Sequence, residues 1–453
     1  MTKPRYQHGC TAGSKELRDA SDSSNAWGVN FNNGNVNNNH RNNTGFVRAV
    51  RRVPASEYQG ARPARNLFDG LCRARRQARR GKKPSRDMVN FETRWIDGVI
   101  DIERAIISRS WRPGRPTCFV ARRPKAREIH APPFRDRLLH HWLVPKLEAR
   151  WEPTFYAHSY ANRRDKGTHK AVQQLQRYFR QVESGQGGGW FLQLDIHNFF
   201  NSIHRPTLWA MLKARLTCAG ATPEELQLTH ALLRESPTAN GVHYRATPAE
   251  RALVPLHKRL ANAAKGCGLA IGNLSSQFFA NVYLDALDQF IKHVLKVPRY
   301  LRYVDDFVLV HHDREQLAQW QADIERFLAE KLQLRLKADT KLARLTDGCD
   351  FLGYVVRPTH TLVRPRVIQH AREALWAFEQ AHVAGGVITA TPEQLQGVAN
   401  SWASYRGHFK HADSFGLRQD FHRRYPWLHA ATGVRRRFNH RAAQRPITIK
   451  VYP

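Results

Sequence analysis

Two adjacent aspartates, Asp305 and Asp306, interrupt the apolar segment YVDDFVLV at residues 303–310. Like charges repel, and burying either carboxylate without a partner is costly. A third aspartate, Asp195, ends an earlier apolar run, WFLQLD. If these segments are neighbouring strands, three carboxylates converge, and divalent cations such as Mg²⁺ or Mn²⁺ would offset their repulsion. Two such ions can activate a 3′-hydroxyl and stabilise a leaving pyrophosphate, so the pattern predicts phosphoryl transfer. Taken alone, the tandem pair is weak evidence, and a solvated turn is the default interpretation.

The pattern of apolar residues around these aspartates predicts an α+β fold. Residues 114–151 read as a β-hairpin and then a proline-bounded helix, and WFLQLDIHNFFNSI reads as a strand that ends in an aspartate. A glycine-punctuated loop and a long amphipathic helix follow in GLAIGNLSSQFFANVYLDALDQF. RYLRYVDDFVLVHH then reads as a hairpin with aspartates at its turn. This order predicts a sheet with helices on one face and acidic residues at one edge.

The charge of the chain favours a polyanionic partner. The 453 residues include 72 Lys and Arg against 38 Asp and Glu, a net charge of +34, and the basic residues recur along most of the length. A field of that sign attracts nucleic acid. Charge alone also fits a ribosome-associated or merely basic protein.

Cysteine spacing and hydropathy indicate a reducing compartment. The six cysteines lie far apart without a CxxC pair, which favours neither a zinc ribbon nor a disulfide framework. The N-terminal MTKPRYQHGC has no apolar stretch of the kind found in secretory signals, and no apolar run approaches the length of a membrane span. We therefore expect a cytoplasmic protein with no membrane partner.

Six motifs, in sequence order, resemble those of the reverse transcriptase family. RRPKAREIHAPPF resembles its fingers motif, HSYANRRDKGTHKAV the segment that follows, and LQLDIHNFFNSI the first palm motif. GLAIGNLSSQ resembles the template-and-nucleotide motif, YVDD the catalytic turn and FLGY the primer grip. The resemblance covers roughly residues 90–420, and the agreement of all six in order is highly specific.

The resemblance implies an α+β right-hand polymerase with an antiparallel palm sheet and a helical thumb. The expected divisions are a poorly structured Asn-rich leader over 1–60, a basic linker over 61–84, fingers over 85–185, palm over 186–356 with helices in 205–265, and thumb with a basic tail over 357–453.

The resemblance also implies roles for individual residues. Asp195 and Asp305 would bind the two Mg²⁺ ions (or Mn²⁺), with Asp306 as the third acid and Ile196 in the same metal site. Phe200 would close over the sugar and exclude a 2′-hydroxyl, unless it is simply a core residue beneath the strand. The remaining expected sites are Lys125, Arg127, Ile271, Gly272 and Gln277 for the incoming dNTP (with Arg122 or Arg123 as substitutes), Lys341 near the leaving group, Phe351, Leu352, Gly353 and Tyr354 in the primer grip, and Arg163, Arg164 and Lys166 on template phosphates.

The loop IGNLSSQ departs from the commonest family form, which has Gln before the glycine and Pro after the serine. Here Ile271 precedes Gly272 and Gln277 follows Ser276. This form resembles reverse transcriptases of diversity-generating retroelements, which copy a template RNA with frequent errors at adenines. The resemblance implies template RNA, an RNA–DNA duplex, dNTPs and a small basic accessory protein as partners. A reverse transcriptase of phage defence and a non-catalytic RNA-binding protein on a polymerase fold are the alternatives.

The N-terminal segment is rich in asparagine. NAWGVNFNNGNVNNNHRNN, residues 25–43, holds ten asparagines in nineteen residues. Substituting adenines in the codon AAC reaches many amino acids without creating a stop codon. One hypothesis is therefore that residues 1–52 are the template repeat of such a retroelement, read in frame. The other is an ordinary disordered leader.

Overall fold

The computed structural model describes residues 25–29, 36–40, 62–122, 125–234, 236–433 and 446–451, with side chains from residue 67 onward. The chain divides into two compact units, Met1–Ala64 and Arg65–Pro453. In the first unit, strands β1 (Asn25–Val29) and β2 (Val36–His40) pair antiparallel. The Asn-rich segment thus contains a backbone hairpin where the sequence predicts little structure, and the rest of the predicted leader lies outside the described residues.

The segment predicted as a basic linker contains a packed helix, α1 (Arg62–Arg79). Leu67, Leu71 and Ala74 lie on one side of this helix and belong to the main hydrophobic core. The arginines that alternate with them include Arg73, Arg76 and Arg79, of which Arg73 and Arg76 are exposed. The period of apolar residues, and not the basic composition, therefore decides how this segment folds.

The predicted fingers region combines helices with a two-stranded hairpin. Proline residues 132 and 133 separate the hairpin from the helix that follows it, as the sequence predicts. The elements are α2 (Arg86–Thr93), α3 (Trp95–Ile107), β3 (Thr117–Ala121), β4 (Arg127–Ala131), α4 (Phe134–Trp151) and α5 (Thr168–Gln186).

A four-stranded antiparallel sheet with helices forms the predicted palm. Along the chain its elements are β5 (Trp190–Asp195), α6 (Phe199–Ser202), α7 (Arg205–Cys218), α8 (Pro223–Arg234), β6 (His243–Tyr244), α9 (Pro248–Ala252), α10 (Leu274–Gln289), β7 (Tyr300–Tyr303), β8 (Asp306–His311), α11 (Arg314–Leu332) and β9 (Lys341–Arg344). The strand order is β7-β8-β5-β9, and β6 instead pairs with β3 of the fingers hairpin. The predicted antiparallel palm sheet is confirmed.

Helices cover both faces of this sheet, so the prediction of helices on one face was wrong. Leu192 and Leu194 of β5 share a core with α10 and α11. Phe191 of the same strand packs with Val308 and with apolar residues of α5, in a second core. Successive side chains of a strand point to opposite faces, and the continuous apolar runs of β5 and β8 are those of strands buried on both sides.

The C-terminal region is helical with two small sheets and has its own apolar core. Its elements are β10 (Cys349–Phe351), β11 (Tyr354–Val356), β12 (Thr361–Val363), α12 (Pro365–His382), β13 (Val383–Ala384), β14 (Val387–Ala390), α13 (Pro392–Phe409), α14 (Phe415–Arg424), α15 (Trp427–Gly433) and β15 (Ile447–Lys450). The predicted basic tail is partly a strand, β15, which pairs with β14. Within the described part of the chain, no helix is both long and apolar enough to cross a membrane.

A fully buried ion pair lies beneath the β7–β8 hairpin. The guanidinium of Arg302 donates to both carboxylate oxygens of Asp288, at 2.8 and 2.5 Å, and the Tyr300 hydroxyl donates to the same carboxylate at 2.7 Å. Arg302 also donates to the main-chain oxygen of Val304 at 3.0 Å, which ties the pair to the hairpin turn. A buried charge whose partner is removed costs several kcal/mol, because nothing else solvates it.

We expect Arg302→Met to lower the free energy of unfolding by about 3–5 kcal/mol, since it leaves Asp288 buried and unpaired. Urea denaturation would measure the loss. Arg326→Met is the matched control, because Arg326 is 64% exposed and its pair with Asp323 contributes at most about 1 kcal/mol. Equal losses in the two variants would contradict this assignment.

Candidate active site

The register of two neighbouring strands brings the three aspartates together. In the antiparallel pair β5–β8, Asp195 stands directly opposite Asp306. Asp305 precedes β8 in the hairpin turn, and its main-chain oxygen accepts from the N–H of Ile196 at 3.2 Å. Residues directly opposite each other in such a pair point to the same face of the sheet. The structure therefore places the predicted carboxylates in one cluster.

The turn that carries Asp305 is conformationally strained. Tyr303 pairs with Asp306, so Val304 and Asp305 form a two-residue turn, and Val304 has a φ of 57°. A β-branched residue in the left-handed region costs of order 1–3 kcal/mol and persists only where its surroundings impose it. The contact of Arg302 with the Val304 carbonyl is one such restraint. The strain fixes the position of the tandem aspartates relative to β5.

The two tandem carboxyls hold their protons to unusually high pH. Burial, together with the charge of Asp195, raises the pKa of Asp305 to about 6. Burial also raises the pKa of Asp306 to about 7; Asp195 and Asp305 add to that shift, and a hydrogen bond from Gln193 opposes it. Both pKa values are raised mainly because burial disfavours the charged carboxylate, and the neighbouring aspartates add to that effect.

Lys337 forms an ion pair with Asp195 Oδ2, a contact that the sequence did not predict. The N–H of Lys337 also donates to the Asp195 main-chain oxygen at 2.8 Å, and the preceding residue, Leu336, bridges to Ile196. The predicted leaving-group lysine, Lys341, lies elsewhere: its Nζ donates to the Gly348 carbonyl at 3.2 Å. Lys337 is thus the lysine at the carboxylates, and only the path of the chain after α11 distinguishes the two.

Gln193 is a second residue that the sequence did not single out. Its amide nitrogen donates to Asp306 Oδ1 at 3.1 Å and to the Asp350 carbonyl at 3.0 Å. The sequence feature that could have identified Gln193 is its position two residues before Asp195, which puts both side chains on the same face of β5.

The residues of the cluster fit divalent cations. Asp195 Oδ1 is buried and has no hydrogen-bond partner among the described residues, Asp195 and Asp306 share one face, and Asp305 lies at the adjoining turn. Hard oxygen ligands of this kind suit Mg²⁺ and Mn²⁺. Ile196 is a fully buried core residue, so only its main-chain oxygen is available to an ion.

The fingers hairpin presents cationic side chains. Lys125 and Arg127 are exposed, and the charge of Arg127 acts on Asp305, whose pKa it lowers against the larger effect of burial. Arg122 is ion-paired with Glu250 at 2.9 Å, and Arg123 lies outside the described residues. Of the four cationic side chains that the sequence suggested, Arg127 is thus the one whose charge acts on the carboxylate of Asp305.

The glycine-containing loop packs against the fingers hairpin. The Ile271 carbonyl accepts from the N–H of His130 at 2.8 Å. A Cβ on Gly272 would lie 2.9 Å from a methyl group of Ile129, and its φ is +120°, so both space and conformation require glycine here. Gln277 is exposed in the first turn of α10.

Phe200 is half-buried after β5, where it packs edge-on against Phe199 at 5.5 Å between ring centroids. It therefore contributes to the core and also presents part of its ring to solvent. This placement is compatible with the predicted contact to a sugar and with the alternative of a packing role.

The predicted primer grip is a tight turn between β10 and β11. Phe351 and Tyr354 pair across the turn and are fully buried, while Leu352 (φ 52°) and Gly353 (φ 90°) form its tip. The Tyr354 hydroxyl donates to the His408 carbonyl at 2.9 Å, which joins the turn to α13. Only the tip is therefore placed to meet a primer.

The three predicted template residues differ in accessibility. The Arg163 side chain is 5% exposed; it pairs with Glu152 at 2.8 Å and donates to the carbonyls of Tyr156 and Ser159. The donors of that guanidinium are used in contacts within the fold, which contradicts the expected contact of Arg163 with template phosphates. Lys166 is half-buried and donates to the Ala157 carbonyl at 2.7 Å, whereas Arg164 is exposed.

A family model described as reverse transcriptase (RNA-dependent DNA polymerase) matches residues 121–356, just over half of the chain. Protein YkfC of Escherichia coli strain K12 is 22% identical over 276 residues, which cover 53% of this chain and 64% of YkfC. The group II intron-encoded protein LtrA of Lactococcus lactis is 23% identical over 277 residues, 51% of this chain and 45% of LtrA. The chain thus spans less than two thirds of the length of either relative.

Solved telomerase structures also match. Telomerase from Candida albicans, in complex with a TWJ fragment of telomeric RNA, gives a TM-score of 0.44 at 11% identity, over 78% of this chain and 60% of that one. Apo telomerase from Candida tropicalis, truncated from its C-terminal domain, gives 0.41 at 9% identity, over 55% of each chain.

The raised pKa values predict that a rise in pH lowers the stability of the fold without metal and increases the stabilisation that Mg²⁺ provides. A carboxyl whose pKa is higher in the folded than in the unfolded state stabilises the fold below its unfolded pKa, and that contribution is lost as pH rises through the folded value. In EDTA, the contribution of Asp305 and Asp306 should therefore fall progressively from about pH 4, the ordinary aspartate value, to about pH 7. With Mg²⁺ the ionised carboxylates bind the ion, so the rise in melting temperature on adding Mg²⁺ should be larger above pH 7 than below pH 6.

Differential scanning fluorimetry would measure this difference. The control is the double variant Asp305→Asn/Asp306→Asn, which has no titrating carboxyl at either position and should show no such pH dependence. A Mg²⁺ effect that is the same at both pH values in the wild type would contradict the assignment.

Proposed function

Because the chain belongs to the reverse transcriptase (RNA-dependent DNA polymerase) family, we propose that it extends a primer 3′-hydroxyl with deoxynucleotides on an RNA template. The register that sets Asp195 opposite Asp306, with Asp305 at the adjoining turn, is the observation that carries this proposal. Two Mg²⁺ ions, or Mn²⁺, bound by these residues would activate the hydroxyl and stabilise the leaving pyrophosphate.

The residues of the chain have separate roles in this proposal. Asp195, Asp305 and Asp306 bind the ions, together with the main-chain oxygen of Ile196. Lys337 neutralises Asp195 until an ion takes its place, because the ion pair occupies one oxygen of that carboxylate. Arg127 and the exposed Lys125 meet the triphosphate, and cationic donors stabilise the charge that develops on its leaving group.

The remaining site residues select the sugar and hold the primer. Phe200 excludes a 2′-hydroxyl with the exposed part of its ring, which would make the product DNA. The loop of Ile271, Gly272 and Gln277 lies along the nascent base pair, and Leu352 and Gly353 contact the primer strand. Arg164 touches template phosphates. Lys341 stays a prediction for the leaving group, with Lys337 as the better-placed candidate.

We propose a role in a diversity-generating retroelement for this polymerase. Ile271 supports it, because a branched apolar side chain cannot supply the hydrogen bond that Gln offers near the nascent pair. A loss of about 1.4 kcal/mol of discrimination makes errors about tenfold more common. The Asn-rich segment is the second support, as a translated template repeat. Partners would be the template RNA, the RNA–DNA duplex and a small basic accessory protein, in the cytoplasm.

The phage-defence alternative differs in its DNA context and not in its chemistry. A retroelement requires a near-copy of the nucleotides encoding residues 1–52 elsewhere in the locus, differing mainly at adenines. Sequencing the flanking DNA would reveal such a copy. If none is found, and the gene instead protects cells in a phage challenge, the defence role replaces the retroelement role.

The polymerase proposal predicts that Asp305→Ala lowers primer extension on an RNA template by at least about a thousandfold, or about 4 kcal/mol, because a metal ligand is lost. Extension with dNTPs and Mg²⁺ or Mn²⁺ would measure it. Asp339→Ala is the control, since Asp339 is exposed and lies outside the carboxylate cluster. Equal extension by the wild type and Asp305→Ala would contradict the role of Asp305, and absence of extension in both would favour the non-catalytic RNA-binding alternative.

The retroelement proposal predicts that Ile271→Gln lowers misincorporation opposite template adenine about tenfold, with a smaller change at other bases. Sequencing of cDNA copied from one defined RNA would give the error spectrum. Ile271→Val keeps a branched apolar side chain and should keep the wild-type spectrum. An unchanged spectrum in Ile271→Gln would remove the loop as the cause of errors.

A further inference from the structure

Three potential metal ligands lie together in the fingers hairpin. Cys118 of β3 stands directly opposite His130 of β4, and Glu128 is two residues before His130 on the same face. One ligand atom from each side chain lies within 4.8 Å of the other two. All three are nine-tenths or more buried, with exposures of 0% for Cys118, 7% for Glu128 and 2% for His130.

The electrostatic setting of this cluster is unusual for a protein core. Glu128 is a buried carboxylate whose Oε2 accepts from the N–H of Leu260 at 3.1 Å. Burial and the charge of Glu128 raise the pKa of the Cys118 thiol to about 11, while Arg251 opposes that shift. Burial lowers the pKa of His130, which keeps the imidazole neutral and able to ligate. A divalent cation would compensate both the carboxylate and a thiolate in one place.

The ligand set selects the class of ion. Thiolate, imidazole and carboxylate together suit Zn²⁺ and its substitute Co²⁺, whereas Mg²⁺ and Mn²⁺ prefer oxygen alone. Ligand atoms of one tetrahedral zinc ion lie about 3.3–3.8 Å apart, so the cluster needs to contract by about an ångström. The thiol would lose its proton to solvent as the zinc–sulfur bond forms.

The hairpin that carries the cluster contacts several neighbouring segments, so a bound ion would stabilise that part of the fold. The strand of Cys118 also pairs with β6, and Glu128 contacts Leu260 in the segment that follows. The N–H of His130 donates to the carbonyl of Ile271. An ion held here would cross-link the two strands of the hairpin that carries Arg127, and the same hairpin contacts β6, Leu260 and the Ile271 loop.

We propose that Cys118, Glu128 and His130 bind one zinc ion, with a water as fourth ligand, and that this ion cross-links the two strands of the fingers hairpin beside the Ile271 loop. The site is separate from the aspartate cluster in both residues and chemistry. The proposal does not depend on the polymerase reaction, and its failure would leave the proposed function intact.

Metal analysis of the full-length protein, purified without chelator, should find one zinc per chain. After replacement of zinc by Co²⁺, the absorption spectrum should show the thiolate-to-cobalt charge-transfer band and the visible bands of a tetrahedral ion. Ions bound by the aspartates cannot give that band, because they have no sulfur ligand. X-ray absorption at the zinc edge of the wild type should show one sulfur among lighter ligands, and it requires no variant.

Cys118→Ser and His130→Ala should lose the bound zinc and the charge-transfer band. Cys349→Ser is the matched control, because Cys349 is also fully buried in a strand but lies outside the cluster, and it should keep both. Cys10→Ser should also keep both. Absence of zinc together with no charge-transfer band on adding Co²⁺ would overturn the proposal, as would full retention of both in Cys118→Ser.

Discussion

The pairing of β5 with β8 places mutually repelling carboxylates side by side, and the surrounding elements stabilise that pairing. Asp195 and Asp306 are direct cross-strand neighbours, and Asp305 is fixed beside them by the hairpin turn. Like charges placed directly opposite in a sheet destabilise it. Burial raises the pKa values of the tandem pair, and the repulsion from the neighbouring aspartates adds to that rise. Divalent cations bound by these carboxylates would relieve the repulsion, and the proposed chemistry depends on them.

The surrounding elements compensate for this cost in stability. The apolar faces of β5 and β8 are buried on both sides, by α10 and α11 on one face and by α5 on the other. Arg302 and Asp288 form a buried pair that reaches the strained Val304 turn. A slip of one residue in register would move the aspartates to the opposite face. The buried apolar residues on both faces therefore fix the geometry of the carboxylates.

The sequence was sufficient to predict the features that depend on local pattern and motif order. The antiparallel palm sheet, the hairpin with aspartates at its turn and the helical C-terminal region are all present. The sequence could not reveal which lysine reaches Asp195, because Lys337 and Lys341 differ only in how the chain approaches β5. Arg163 likewise has the composition of a phosphate ligand, but its partner Glu152 is recognisable only in three dimensions. The second helical face was indicated by the continuous apolar runs of β5 and β8, which the prediction of helices on one face did not take into account.

A titration with Mn²⁺ followed by electron paramagnetic resonance tests the central claim most directly. The account predicts that the wild type binds two ions with the magnetic coupling expected at a separation of about 3.5–4 Å, and that Asp195→Asn loses the coupled pair. Binding that is absent, uncoupled or unaffected by Asp195→Asn would show that the three carboxylates do not form one metal site.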